Sequence, residues 1–576
     1  MEKKDVFKYI FKQLKVYKFK IIIIFFCMLI IAILGVISPL LQEKLFDKGI
    51  MARSMDDVIW YTILLAVIFI IEKIFDFIQF VQSEYINKQL PYTLLYDTIC
   101  HSLDLKISYY KDNNFSKIIN NTYKDISEIT EIVNTSILES LISVFKIIGG
   151  IIGLFIINWK LTIFILMVIP IEVLVSSIFS NKRQKLNEKM LKYNENFAVW
   201  LSETFNSMEI LKLWSLQNRR RKEFINLQAE MIKTETKMDY LDTYSDVASS
   251  TINIIFTYGL NLLGAFFIFG NELTVGGLFA FSAYSVYVMQ PMAILASIIY
   301  KFSSGYPSIE RFLKYFQNEV ESEEGVALID ASINSIVFDN VIFGYENKEP
   351  ILNGVSFDIK QGEKVAFIGC NGSGKSTILN LLLRFFMPDF GEISINGTKI
   401  QEFSLGEYRK LFSVMNQNLF LFEDSIKNNI NIENELSDSE IKKYLDLLNA
   451  KDFITSLPEG INTRVGYNGT KLSGGEKQKV VLARTLCRKA PILILDEATA
   501  SFDINAEKQF DKYINETNRY EIIMVVSHRV DILKVMDKIF VLDKGKIVDS
   551  GTFEELEKRN SNFLNILKEE REKENE

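Results

Sequence analysis

Residues 369–376 read Gly-Cys-Asn-Gly-Ser-Gly-Lys-Ser, with Lys364-Val-Ala-Phe-Ile before them and Thr377-Ile-Leu-Asn-Leu-Leu-Leu after them. An apolar strand, a glycine loop and the start of a helix, in that order, build a phosphate cradle. The glycines let backbone N–H groups turn inward, and the helix N-terminus adds positive field. Gly369, Asn371, Gly372, Ser373, Gly374 and Thr377 are therefore candidate nucleotide contacts. Lys375 is expected on the β- and γ-phosphates, and Ser376 offers Mg2+ a hydroxyl ligand. The stretch predicts an α/β P-loop domain that binds ATP.

Further apolar runs supply the rest of such a site. Pro491-Ile-Leu-Ile-Leu-Asp-Glu497 reads as a buried central strand ending in two carboxylates. Asp496 is the candidate Mg2+ ligand, and Glu497 the candidate general base. Ile522-Ile-Met-Val-Val-Ser-His528 is a third strand of this kind, and His528 at its end is placed to hold the attacking water and Glu497 in register. Gln417, after Val414-Met-Asn, is expected to sense Mg2+ and the γ-phosphate. Ligands of such sheets bind at the strand carboxyl ends. Tyr345, on an early strand over 336–347, offers a flat face for adenine.

The first half of the chain has a different character. Apolar runs at about 21–41, 58–80, 138–157, 161–180, 251–270 and 276–300 are each long enough to cross a bilayer, which takes roughly 20 residues. Seven lysines precede Ile21, and Lys182, Arg183 and Lys185 follow the fourth run, so those ends are expected on the cytoplasmic side. Six spans then leave both termini cytoplasmic. Residues 84–137 and 181–245 are helical in pattern and poor in glycine and proline, so the membrane helices are expected to continue well past the bilayer. Short turns interrupt them at Tyr110-Lys-Asp-Asn-Asn-Phe-Ser116 and around Thr204-Phe-Asn-Ser-Met208. The expected organisation is an all-α six-helix transmembrane domain at 1–325 and a nucleotide-binding domain at 326–576.

Bulk properties narrow the function. A net charge of −7 gives no basic field for nucleic acid, and six spans exclude a soluble nucleic-acid motor. Cys27, Cys100, Cys370 and Cys487 lack framework spacing and are expected as free thiols. Two histidines, His101 and His528, are too few for a histidine metal site. The first apolar run is too long for a signal peptide, and no protease-like stretch precedes it. The Ile-, Lys- and Asn-rich composition suggests an AT-rich bacterial genome.

With these pieces in order the chain resembles an ABC transporter half-unit of the exporter type. The most specific element is Leu472-Ser-Gly-Gly-Glu-Lys-Gln478, similar to the family signature and lying between the phosphate loop and the Asp-Glu strand. The resemblance implies that Ser473, Gly474 and Gly475 of one subunit meet the nucleotide on the partner's phosphate loop. It implies a second half-transporter, in a homodimer or a heterodimer. Ala500-Ser-Phe-Asp503 resembles the D-loop, so Asp503 joins the candidate set. The tips near 110–118 and 202–212 resemble the two coupling helices, and Gly270-Asn-Glu-Leu-Thr-Val-Gly-Gly277 before the last span also fits. One departure is visible: Thr463-Arg-Val-Gly-Tyr-Asn-Gly469 carries Tyr467 where the family usually has glutamate. The implied activity is ATP-driven export of an amphipathic peptide, drug or lipid across the cell membrane by alternating access. Import of a metal chelate and an ATP-hydrolysing sensor or channel are the alternatives.

For the cargo, Glu72, Asp76 and Gln79 share one helical face of the second span, Asn253, Thr257 and Asn261 one face of the fifth, and Tyr284, Tyr287 and Gln290 lie on the sixth. They are candidates to line a polar cavity suited to a cationic or amphipathic molecule. The competing reading gives Lys73 to the two acids as a counter-charge and the asparagines to helix–helix hydrogen bonds.

Overall fold

The computed structural model describes residues 13–112, 115–132, 139–326, 332–345, 349–433, 435–497, 504–559, 563–564 and 567. The chain forms two compact units: Met1–Leu103 with Asn114–Asn318, and Asp104–Asn113 with Glu319–Glu576.

The first unit is all helix. In a bilayer every backbone polar group must find its partner within the span, which leaves the helix as the form for these apolar runs. Its elements are α1 (Lys18–Lys44), α2 (Met55–Asp104), α4 (Phe115–Glu131), α5 (Glu139–Ile157), α6 (Trp159–Asn206), α7 (Met208–Leu213), α8 (Gln217–Phe269) and α9 (Val275–Tyr315). The short α3 (Ile107–Asp112) belongs to the second unit. Helices with apolar, membrane-length character begin at Lys18, Met55, Trp159 and Gln217, and shorter apolar stretches occupy Ser143–Ile157 and Val275–Met289, so all six expected spans fall on helices. At 50 residues α2 is about 75 Å long, against a hydrocarbon core of about 30 Å. α2, α6 and α8 are thus each longer than a bilayer crossing requires, the length that the expected continuation calls for. The interruptions are the one-turn helices α3 and α7, shifted a few residues from the expected tips.

Side chains tie the long helices along their length. Phe164 stacks on Phe256, Arg183 Nε meets Asp242 Oδ1 at 2.7 Å, and Trp200 Nε1 donates to Glu223 Oε2 at 3.1 Å, running from one end of the α6–α8 pair to the other. Where α1 meets the start of α9, a Cβ on Gly276 would collide with the Glu43 carbonyl, and Gly276 N–H donates to Asp47 Oδ1 at 2.9 Å. Leu14, Leu90, Leu94, Ile126, Ile129, Ile309 and Phe312 form a small core among the extended helices. At its edge Arg311 grips Asp125 with two guanidinium nitrogens.

The second unit holds two sheets. β1 (Ser335–Phe343), β2 (Leu352–Lys360), β4 (Phe390–Ile395) and β5 (Thr398–Lys399) make an antiparallel sheet in the order β2-β1-β4-β5. The main sheet runs β10-β9-β3-β8-β7-β6, from β3 (Lys364–Gly369), β6 (Phe412–Met415), β7 (Ile492–Asp496), β8 (Ile522–Val526), β9 (Lys538–Asp543) and β10 (Lys546–Gly551). The middles of its inner strands are apolar because both faces are covered, with charged residues only at strand ends such as Lys364, Asp496, Lys538 and Asp543. Val365 and Phe367 enter one core with Ile492, Ile494, Ile522 and Met524; the alternate Ala366, Ile368, Leu493, Leu495, Ile523 and Val525 enter the other. Strands β6, β7, β8, β3 and β9 pair in parallel, so their carboxyl ends share one edge.

The Asp125–Arg311 pair generates a stability prediction. The Asp125 side chain is 3 % exposed and that of Arg311 40 %. Removing the arginine strands a buried carboxylate, whereas removing the carboxylate leaves a guanidinium within reach of water. Arg311→Met is expected to cost about 3 kcal/mol and Asp125→Asn about 1 kcal/mol, with the double variant recovering part of the Arg311→Met loss. Thermal unfolding midpoints of the three purified variants check the order.

Candidate functional site

Four neighbouring strands each end in one piece of the candidate site. The phosphate loop follows β3, Ser527-His528 follows β8, Asp496 ends β7 with Glu497 next to it, and Gln417 lies two residues past β6. In sheet order these are adjacent, so residues more than a hundred positions apart converge on one edge.

The loop from Gly369 to Gly374 runs into α10 (Lys375–Leu382). Gly372 (φ +80°) and Gly374 (φ +107°) occupy the left-handed region that glycine enters without strain. At Gly374 a Cβ would lie 2.5 Å from Leu352 Cδ2, and at Gly369 it would collide with the Leu542 carbonyl. The Ser373 hydroxyl is buried and has no hydrogen-bond partner among the described residues. Lys375 Nζ curls back to donate to the Gly369 carbonyl at 2.5 Å and the Cys370 carbonyl at 3.2 Å. A buried ammonium held by carbonyls beside an unsatisfied hydroxyl at an uncapped helix N-terminus fits an anionic oxygen group. Asn371 is exposed at the lip and Thr377 is buried in the first turn of α10.

Ser376 Oγ approaches Asp496 Oδ2 at 3.4 Å, and Gln417 Nε2 donates to Glu497 Oε2 at 2.9 Å. Hydroxyl, carboxylate and amide oxygens form the hard-donor set that suits Mg2+. Burial first, and then the charge of Glu497, hold the Asp496 carboxyl above its usual range, while Ser376 and Lys375 oppose the shift. Glu497 has φ +52°, an unfavourable conformation for a side chain of its size. His528 is half-buried, and next to it Arg529 is held by Asp511 at 3.1 Å and Glu507 at 3.3 Å, which fixes the turn after β8.

Tyr345 lies just past β1 rather than on it. Its hydroxyl accepts from Asn380 Nδ2 at 3.2 Å, and its ring meets Phe343 and Phe386 edge-on. Ser473 caps α11 (Gly474–Cys487): its amide donates to Glu476 Oε2 at 2.8 Å, and the Glu476 amide donates back to Ser473 Oγ at 3.3 Å. Gly474 faces open space, with no atom within 4 Å of a Cβ placed there, and Gly475 follows in the same turn. Gln478, one turn on, donates to the Glu497 carbonyl at 3.4 Å and so links this helix to β7. Asp503 lies outside the described residues. Tyr467 stands 73 % exposed in a one-turn 3-10 segment. The four cysteines are free thiols, as expected.

Among the candidate cargo residues the structure makes one clear correction. Tyr284 is fully buried and its hydroxyl donates to the Val36 carbonyl, so it packs between α9 and α1 and does not present a polar group to a cavity. Thr257 gives its hydroxyl to the Asn253 carbonyl of its own helix, and the Gln290 side chain lies outside the described residues. Lys73 Nζ reaches Asp76 Oδ2 at 2.7 Å, as the counter-charge reading expected. Asp76 and Gln79 nevertheless line a cavity of about 100 Å3 with Met28, Ile31, Ala32 and Lys146. Lys146 and Glu172 escaped the sequence reading. Glu172 is buried in α6, and its Oε2 has no hydrogen-bond partner among the described residues. The signal for both was an ionisable residue inside an apolar span.

Comparison with known proteins agrees with this arrangement. The family described as ABC transporter matches residues 352–500, and the ABC transporter transmembrane region matches 21–292. An ATP-dependent lipid A-core flippase of Alcanivorax borkumensis is 29 % identical over 490 residues, 84 % of each chain. One of Haemophilus ducreyi is 28 % identical over 96 % of this chain and 95 % of its own. A putative multidrug export ATP-binding/permease protein of Staphylococcus aureus is 28 % identical over 86 % of each. The solved structure of a bacterial Atm1-family ABC exporter with ATP bound superposes with a TM-score of 0.84 at 22 % identity, covering 96 % of this chain and 99 % of that one. Membrane and nucleotide-binding regions thus follow one another along a single polypeptide with the fold of an exporter-type half-transporter, and the chain belongs to the ABC transporters, as a multi-pass membrane protein that couples ATP hydrolysis to transport.

Proposed function

We propose that two copies of this chain sandwich two ATP molecules and use them to export an amphipathic molecule with a charged head from a bacterial plasma membrane, with both termini in the cytoplasm. The observation that carries the motor reading is the convergence of Lys375, His528, Asp496, Glu497 and Gln417 on one edge of four adjacent parallel strands. The loop amides, Ser373 and Lys375 hold the phosphates, and Tyr345 supports the adenine. Glu497 takes the proton of the attacking water, and Gln417 and His528 keep that water and the carboxylate in line. Ser376, Asp496 and Gln417 are the residues that would hold Mg2+, which when bound neutralises charge on the β- and γ-phosphates. Ser473, Gly474 and Gly475 at the start of α11, where Gly474 faces open space, complete the partner's site, and Asp503 is assigned to the same site from the D-loop resemblance.

The completeness of this set favours a homodimer with two working sites. The lysine-rich N-terminus and the basic run Lys182-Arg183 support the orientation. The cargo reading rests on the cavity among α1, α2 and α5, which presents Asp76 and Lys146 within the spans. An acid and a base at one cavity suit a head group with both signs of charge. The names of the lipid A-core flippases and of the multidrug exporter support an amphipathic cargo.

Three outcomes are expected. Glu497→Gln lowers ATP turnover by about 10²- to 10³-fold while ATP affinity stays within a few-fold, measured by steady-state hydrolysis and nucleotide-binding titration. A carboxyl held above its usual range binds its proton more readily in the folded state. Asp496 therefore costs stability as pH rises from its ordinary value through its raised one. Asp496→Asn should then raise the nucleotide-free thermal midpoint at pH 7.5 and abolish the extra stabilisation that Mg2+ adds to ATP. Finally, Lys146→Gln and Asp76→Asn should each reduce ATP-driven flipping of a fluorescent zwitterionic lipid in proteoliposomes by about 10-fold, with basal hydrolysis retained.

A further inference from the structure

The segment that leaves α9 and enters the nucleotide-binding fold does more than connect them. Residues 319–321 lie antiparallel to 104–106: Lys106 N–H donates to the Glu319 carbonyl at 3.3 Å, Glu321 N–H to the Asp104 carbonyl at 2.7 Å, and Leu105 bridges Val320. Lys106 adds an ion pair to the Glu319 carboxylate. Leu105 is 3 % exposed while Val320 opposite it is 45 % exposed, so this small ladder has one packed strand and one strand facing solvent. Further along, Val326 pairs with Phe403, and Glu323 accepts from Gly406 N–H at 3.1 Å. All of these contacts lie within the second unit.

Glu321 is bonded on both sides. Its backbone N–H holds the last residue of α2, and its carboxylate takes a two-pronged bond from Arg409, 2.7 Å on each prong. The same guanidinium donates to the Leu383 carbonyl at 3.4 Å and the Arg384 carbonyl at 3.3 Å, and lies over the Phe385 ring. Those carbonyls follow the last turn of α10, where a helix leaves acceptors unsatisfied and its dipole is negative. Tyr408 satisfies the preceding Leu382 carbonyl at 2.5 Å. The chain of contacts therefore runs from the helix that opens at the phosphate loop, through Arg409 and Glu321, to the end of α2. The pair is mostly withdrawn from water, with side chains 28 % and 19 % exposed, and a bidentate guanidinium–carboxylate bond fixes angle as well as distance.

We propose that Glu321 and Arg409 are positioning residues of the transport cycle. They form a strap that delivers movement of the phosphate-loop helix to residues 104–106, at the base of the first cytoplasmic tip. The strap rests on the ATP-driven motor proposed above and adds a route by which each subunit's own nucleotide reaches its own second span. A staple that only stabilised the fold would need neither the contacts to the end of α10 nor a shared residue at the junction.

The test compares hydrogen–deuterium exchange of the full-length protein in nanodiscs, nucleotide-free and trapped with Mg·ATP and vanadate. In the wild type, peptides covering 92–112 change protection on trapping. Arg409→Ala and Glu321→Ala each remove at least half of that change while KM for ATP stays within about 2-fold, and the double variant is no worse than either single one. Arg409→Lys keeps the charge but not the fork, and retains an intermediate response. A full trapping response at 92–112 in Arg409→Ala overturns the strap, as do additive losses in the double variant. If the alanine variants unfold, the Arg409→Lys response decides: a wild-type change at 92–112 refutes the proposal. Absence of hydrolysis in the wild type would sink the motor reading instead, whereas hydrolysis with no exchange change at 92–112 sinks the strap alone.

Discussion

The second unit depends on the burial of parallel strands on both faces. With Val365, Phe367, Ile494 and Met524 committed to one core and Ala366, Ile368, Leu493 and Val525 to the other, no side chain of the strands' middles is left for chemistry. Function is confined to the edge, and parallel pairing makes it one edge. The polar residues come after the last buried position: Gln417 beyond Met415, His528 beyond Val526, Glu497 after Asp496. The apolar runs and the site are thus the same constraint seen at two points along each strand.

A related constraint shapes the membrane unit. Once a helix has been imposed by the bilayer, continuing it costs little, because each added residue brings its own hydrogen bond. Polar pairs such as Arg183 with Asp242 and Trp200 with Glu223 then join the extensions where lipid no longer covers them. The result is a set of rods stiff enough to carry force, ending in one-turn helices.

Local features of this chain were legible, and long-range ones were not. The phosphate loop, the strand-end carboxylates and the six apolar runs each have a sequence period or a spacing that physics dictates, and they fall on a strand-to-helix turn, a strand end and helices. Tyr284 was misread because its neighbours on the helix do not reveal that Val36 takes its hydroxyl. Lys146 and Glu172 were legible in principle, since an ionisable group in an apolar run is a signal by itself. The ladder between 104–106 and 319–321 had no such signal: its partners are more than two hundred residues apart and belong to segments with no strand pattern. Arg409 looked like one more charge on a short helix, and only the fold places it against Glu321 and the end of α10.

Glu497 combines the carboxylate proposed as the base with a left-handed backbone, and the two demands pull against each other. Glycine or asparagine would relax that backbone by about 1 kcal/mol, and β-branched residues would strain it further. The position therefore sits on a slope where drift toward greater stability and drift toward inactivity run the same way. A lineage freed from selection for turnover would be expected to change there early.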